Sequence, residues 1–292
     1  MPKLESQWNC PDDRNFISEK QMVHAFLYTD YIIDPHRHDF YEINIIMSGS
    51  GTHLIEDKIV HARKGDVFVI PPNVVHAYTD TRKMDVFHIL IKSSFIQQYS
   101  EESSRIRGFH LLMEIEPFLR NQFHEEYFLH LSGSELVMLQ ADLEMIRDGG
   151  FCAMEDSEEL KNHIMLKILY WMSLLLHKQI YSHDAGVPEQ SIISVLEYIH
   201  THYPEKITVE LLAKIANMSR PTLMRKFKSL CGCSPMQYVT NYRKTQAQRM
   251  LRERKIPKTQ IAYECGFYDL SHMERVLNSR DGTERIDFPD LI

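Results

Sequence analysis

Residues 208–227 read TVELLAKIANMSRPTLMRKF and residues 258–277 read KTQIAYECGFYDLSHMERVL. Laid over one another they are two versions of one unit. Ala213 and Ala262 stand 49 residues apart, as do Asn217 and Gly266; Ser219 and Asp269, Leu223 and Met273, Arg225 and Arg275, and Phe227 and Leu277 stand 50 apart. In each copy a small alanine lets two helices cross closely, and Asn217 or Gly266 tolerates a left-handed turn. Ser219 or Asp269 then offers a side-chain oxygen to the free N–H groups that open a second helix. Leu223 with Phe227, and Met273 with Leu277, are i,i+4 pairs suited to that helix's buried face. The spacing predicts a helix-turn-helix over about 208–231 and another over about 258–280, held apart by a helix from about Pro235 to Arg254.

The outer face of the second helix would show Arg220, Met224, Arg225 and Lys228 in the first copy, and Leu270, Ser271, Glu274 and Arg275 in the second. A basic, N-capped helix suits the DNA major groove, where arginine bonds bidentately to guanine. The charge distribution points the same way. The net charge of −7 divides into 17 Lys+Arg against 29 Asp+Glu over residues 1–190 and 16 against 11 over residues 191–292. A basic module on an acidic body fits double-stranded DNA at one end and a different partner at the other.

Residues 22–92 have another character. Short β-branched and aromatic runs alternate with turn signals at hairpin spacing, which predicts a small all-β barrel or sandwich, with turns at Gly49-Ser50-Gly51 and Lys64-Gly65-Asp66 and a break at Pro71-Pro72-Asn73. Helical runs follow at about 104–116, 134–148 and 157–182. The last is too apolar for a helix with one buried stripe, so it packs on two sides within a subunit or pairs with a second copy. Residues 183–190, polar with Gly and Pro, read as a linker. The fold class expected is two-domain α+β: a β-barrel with a helical dimerisation segment over 1–182, and an all-α double helix-turn-helix over 191–292.

At 292 residues, 43 % hydrophobic and 25 % charged, the chain has the composition of a globular protein of about two domains, not a disordered or fibrous one. No apolar run reaches membrane-spanning length and the N-terminus has no secretory signal, so the expected place is the cytoplasm. Five cysteines form no evident disulfide framework there. Neither a phosphate-binding glycine loop nor a Gly-x-Ser-x-Gly elbow is present, and no catalytic set is expected.

On the barrel strands His36, His38, Glu42 and Asn44 share parity and so point to one side, with His76 beyond the Pro71-Pro72 break. Two imidazoles and a carboxylate on one face, joined by a third imidazole, form the N/O donor set of a divalent first-row transition metal. The order His-x-His, Glu42, Gly49, then Gly65, Pro71 and His76 resembles the two cupin motifs, with Asn73 at the usual Gly and Asp80 at the usual Asn. Two readings stay open. Either His36, His38, Glu42 and His76 hold one metal ion, or they line an organic effector pocket together with Asn44, Tyr78 and His88, and no cofactor is required.

Residues 191–280 resemble the DNA-binding domain of the AraC/XylS family of bacterial transcription regulators, through Leu212-Ala213, Ser219, Leu223, Arg225-Lys226-Phe227, Gly232, Ser234-Pro235, Tyr238, Arg243, Ala247, Leu251, Ile261-Ala262, Gly266-Phe267, Asp269 and Ser271. The sensor barrels of that family resemble residues 22–182. The resemblance implies base contacts from Pro221, Met224 and Arg225 in the first copy and from Leu270, Ser271 and Arg275 in the second. It implies phosphate contacts from Thr222, Lys226, Lys228, Arg243 and His272, beside the capping Ser219 and Arg220. It also implies a homodimer, RNA polymerase as a partner, no membrane, and a small polar effector such as a sugar. The chain departs from the family pattern at Met273 and Leu277, where phenylalanines are usual, and after Arg280. The competing classes are a metal-dependent cupin enzyme with an accessory helical domain, and a dimerising module with a decayed DNA-binding half.

Overall fold

The computed structural model describes residues 8–10, 20–122, 128–148, 157–182, 190–253 and 256–279. The chain divides into two compact units, Met1–Gln179 and Ile180–Ile292. Of the linker expected at 183–190 only Gln190, which opens a helix, is among the described residues, and the tail that departs from the family pattern after Arg280 lies outside them.

The first unit is built on two long strands, β4 (Tyr41–Ile55) and β7 (His76–Ile91), paired antiparallel along most of their length. The other strands are β1 (Trp8–Cys10), β2 (Val23–Tyr28), β3 (Ile33–His38), β5 (Lys58–Arg63), β6 (Asp66–Ile70) and β8 (Leu129–His130). β2 and β6 flank the Tyr41–Ile46 half of the central pair, while β3 and β5 flank its other half, and β1 adds to β3 in parallel. The pair bends between these halves. Three register shifts fall between Ile46 and Thr52, and Gly49 takes φ 68° opposite Lys83 at φ 48°. The turn expected at Gly49–Gly51 is therefore a correction: the strand continues through it. Bulges together with a left-handed glycine bend a strand without ending it, and a Cβ on Gly49 would collide with the Lys83 carbonyl. Ile46, Ile55, Val60, Phe68, Ile70, Tyr78, Met84 and Val86, drawn from both halves, form one buried core cluster.

The helical part follows: α1 (Ser93–Gln98), α2 (Ser100–Ser104), a π-helical turn (Leu111–Ile115) running into α3 (Glu116–Gln122), α4 (Gly133–Ile146) and α5 (Glu158–Tyr181). The run expected at 104–116 is divided, because Gly108 at φ 80° sits against the Ser173 carbonyl where no side chain fits. A Ser132/Glu135 capping box opens α4. Asp148 ties the far end of α4 to the barrel and to α5, its N–H bonding the Ala25 carbonyl (2.8 Å) and its carboxylate pairing with His24 and the buried Lys161. One face of α5 is buried through Ile164, Ile168, Met172 and Leu176, while Leu160, Tyr170, Trp171 and Leu174 remain exposed.

The second unit is helical among its described residues: α6 (Gln190–His202), α7 (Val209–Ile215), α8 (Arg220–Cys231), α9 (Pro235–Glu253), α10 (Lys258–Glu264) and α11 (Leu270–Asn278). The helices α7–α8 and α10–α11 are the two predicted pairs. Among the described residues no helix is long and apolar enough to cross a membrane.

Candidate functional site

Two constellations stand out, one in each unit. In the barrel, β3 carries His36 and His38, β4 carries Glu42, Asn44 and His53, and β7 carries His76, Tyr78 and His88. All eight are buried. The pairing places them together: His36 is opposite His76, Asn44 opposite His88, and His53 opposite Tyr78. Glu42 is the centre. Its Oε2 lies 2.9 Å from Nε2 of His38 and 3.1 Å from Nε2 of His76, and its Oε1 lies 2.6 Å from Nδ1 of His88. The His36 ring stands beside that of His76, with centroids 4.2 Å apart. Asn44 donates to the Tyr78 hydroxyl at 3.3 Å.

Burial alone would raise the Glu42 carboxyl. The three imidazoles around it outweigh that effect and hold it well below the usual carboxylate range. Burial lowers His36 to about 4, with His76 adding to the effect, and lowers His76 against the pull of Glu42. Burial, with the neighbouring Glu42, pushes the Tyr78 phenol up. Burial thus favours the uncharged ring at His36 and His76 beside an ionised Glu42.

The structure brings together all seven residues expected in the barrel and adds His53, which the sequence reading did not include. Burial holds His53 well below the ordinary imidazole value, and its ring stacks on Tyr78 with centroids 4.1 Å apart. Neither of its nitrogens has a hydrogen-bond partner, and the same is true of Nε2 of His88 and Oδ1 of Asn44. Buried polar atoms without partners carry a substantial desolvation penalty, and four of them lie in this cluster. Aromatic rings close the other side: Phe26 stacks on His88 at 5.2 Å, and Tyr31 meets it edge-on at 4.5 Å.

In the second unit each copy turns as its sequence requires. Asn217 adopts φ 50° and Gly266 φ 73°. The Ser219 hydroxyl accepts from the Thr222 N–H at 3.4 Å, and the Asp269 carboxylate accepts from the His272 N–H at 2.7 Å. Leu223, Phe227 and Met273 are fully buried, and Leu277 packs against the core around Met273. On the opposite side of α8, Ser219, Arg220, Pro221, Met224, Arg225, Lys226 and Lys228 are exposed, with Thr222 half-buried and its hydroxyl 2.9 Å from that of Ser219. On α11, Ser271 and Arg275 are exposed and Leu270 and His272 half-buried. Arg220 pairs with Glu210 at 2.8 Å.

Arg243 behaves differently from its neighbours in the candidate set. Its Nε donates to the Tyr203 carbonyl at 2.7 Å and its Nη2 to the Glu205 carbonyl at 2.6 Å. Its guanidinium thus anchors α9 to the turn after α6, a use that the basic pattern of the helix did not reveal.

One unit thus carries a buried polar cluster in a β-barrel and the other a duplicated helix-turn-helix. Comparison with known proteins agrees. Residues 21–151 match the AraC-like ligand binding domain and residues 212–282 match a helix-turn-helix domain. The chain belongs to the AraC/XylS family of transcription regulators. It is 25 % identical over 244 residues to the HTH-type transcriptional activator RhaS of Pectobacterium carotovorum subsp. carotovorum, covering 81 % of this chain and 80 % of the relative. RhaS of Escherichia coli O139:H28 is 25 % identical over 239 residues, with the same coverage. Among solved structures, the DNA-binding domain of AdpA in complex with a target DNA is 32 % identical, covering 32 % of this chain and 83 % of that one, at a TM-score of 0.30. ToxT from Vibrio cholerae O395 is 14 % identical, covering 88 % of this chain and 92 % of that one, at a TM-score of 0.33.

Proposed function

We propose that this chain is a ligand-responsive, sequence-specific transcription activator of the cytoplasm, without catalytic activity of its own. A small polar effector of the carbohydrate class would bind in the barrel. The observation that carries the effector reading is the set of unpartnered buried atoms on Asn44, His53 and His88. An uncharged polyhydroxylated molecule supplies donors and acceptors to such a surface without bringing a second negative charge to Glu42. His36, His38, His76 and Tyr78 complete its wall.

On the DNA side, Pro221, Met224 and Arg225 of α8 and Leu270, Ser271 and Arg275 of α11 face bases, while Arg220, Thr222, Lys226, Lys228 and His272 position the backbone. The similar RhaS proteins are transcriptional activators, which favours activation here, with RNA polymerase as the partner. The exposed apolar side of α5 supports a homodimer: Trp171, Met172 and Leu175 border a groove of about 260 Å³ with Leu131, Met138 and Leu139 of the α4 region, and Lys167 and Asp142 stand in it with both charges. A second copy of the same surface matches both its apolar and its paired charged character.

The deciding experiment titrates the full chain with DNA from its own upstream region and with shuffled DNA, at two salt concentrations, with and without a panel of neutral monosaccharides. Discrimination that persists as salt rises, and that one sugar shifts, supports the reading. Equal, salt-erased binding to both DNAs overturns it. For the dimer, Trp171→Glu yields a monomer by light scattering while the native chain runs as a dimer.

A further inference from the structure

The helices α8 and α11 differ in charge at one outward position. The offset of 50 that matches Leu223 to Met273 and Arg225 to Arg275 also matches Pro221 to Ser271 and Met224 to Glu274. Leu223 and Met273 are both fully buried, and Arg225 and Arg275 are both exposed, so the two helices turn the same faces outward at this offset. Pro221, Met224 and Arg225 form the base-facing set of α8. Its counterpart on α11 is Ser271, Glu274 and Arg275. Glu274 follows Leu270 by four residues and Ser271 by three, which on a helix sets the three side by side, and it is exposed.

A carboxylate on such a face has a restricted chemistry. Phosphates repel it, so it is favourable in the major groove only where a base edge offers it a donor. Guanine presents the acceptors N7 and O6, and thymine the acceptor O4 with a methyl group, whereas the N4 amine of cytosine is the donor matched to a carboxylate. Met224 in the first copy offers essentially apolar surface and makes no such demand. The charge of Glu274 is offset from within the same unit. Lys258, the first residue of α10, holds Nζ 3.7 Å from Glu274 Oε1, close enough to pair charges and too far to occupy the oxygen with a hydrogen bond. We propose, resting on the reading of DNA by α8 and α11, that Glu274 is a specificity-determining residue that accepts from cytosine N4 at one operator position. It selects by rejection as much as by attraction, because any other base leaves its charge facing acceptors or phosphates without a donor.

The test selects binding sites for the full chain from its own upstream DNA with each position randomised in turn, the enriched bases being read by sequencing. Native chain, Glu274→Ala and Glu274→Gln are compared, and each is also titrated with shuffled DNA at low salt. The native chain should enrich cytosine at a position where Glu274→Ala loses the preference about tenfold, the other positions keeping theirs. Glu274→Gln should move that preference to adenine, whose N6 and N7 suit an amide. Both variants should bind shuffled DNA more tightly than the native chain, the reverse of what loss of an arginine does. Unchanged base preferences in Glu274→Ala overturn the proposal, as does weaker binding of shuffled DNA. Preferences lost at many positions together with a lowered urea midpoint would make Glu274 a structural residue and also overturn it. A native chain that enriches no sequence refutes the reading of DNA as a whole, whereas enrichment that Glu274→Ala leaves intact refutes the role of Glu274 alone.

Discussion

In the first helix-turn-helix the turn residue is an asparagine at φ 50° with its side chain exposed, and the recognition helix opens on a long 3.4 Å cap from Ser219. In the second the turn residue is a glycine at φ 73°, pressed onto the preceding part of the domain: a Cβ on Gly266 would stand 2.6 Å from the Pro204 carbonyl oxygen and 2.8 Å from that of Tyr203. Its helix opens on a 2.7 Å cap from Asp269. The duplicated sequences have thus diverged in what they lean on. The first copy is held by its own inner face, where Leu223 and Phe227 are fully buried. The second has one fully buried position on α11, Met273, and draws its placement from the turn between α6 and α7.

The sharpest way to break the comparison is at the turns. Gly266→Ala forces a left-handed alanine against two carbonyls and should destabilise the second copy by roughly 3 kcal/mol. Asn217→Ala, with no such collision, should cost about 1 kcal/mol. Urea melts of the full chain followed by far-UV circular dichroism give both values, and equal values would refute the asymmetry. Next are the bases. Arg225→Ala should reduce affinity for the native DNA segment roughly tenfold or more and relax choice at one base position. Arg275→Ala should do the same at a second position, and unchanged binding in both variants removes the assignment of these faces.

Arg243→Met separates anchoring from charge. It should destabilise the unit by about 1–2 kcal/mol through the lost bonds to Tyr203 and Glu205, with the salt slope of DNA binding unchanged. Lys226→Ala should lower that slope by about 1 and leave the melt alone. The caps should follow their hydrogen-bond lengths, about 1.5 kcal/mol for Asp269→Ala and, the smallest effect of the set, about 0.5 kcal/mol for Ser219→Ala.

The helical half was legible because its signals are local. An alanine, a turn residue, a cap and an i,i+4 pair lie within twenty residues, and each records a nearest-neighbour interaction. The barrel site was legible where parity holds, which is why His36, His38, Glu42 and Asn44 were grouped. Parity fails at His53. Counted from Glu42 it belongs to the opposite face, yet the register shifts between Ile46 and Thr52 turn the strand so that it faces Tyr78. No periodic rule anticipates how many bulges a strand will take, although the two glycines at 49 and 51 mark where one could form. The anchoring by Arg243 escapes the sequence for a related reason. A basic residue on a helix near DNA-reading helices reads as a phosphate contact, and only the fold places the Tyr203 and Glu205 carbonyls beneath it.

Those carbonyls belong to the main chain, and this bears on how such a reader can diversify. A joint that docks on backbone oxygen survives replacement of the side chains at 203 and 205, while it fixes the residues that reach it, Gly266 and Arg243. The exposed positions of α11 lie outside that joint. On the proposed reading of DNA, α11 is therefore a cassette: exchanging the exposed Ser271 and Arg275 for those of another member should redirect which operator is read while the hinge that carries them stays as it is.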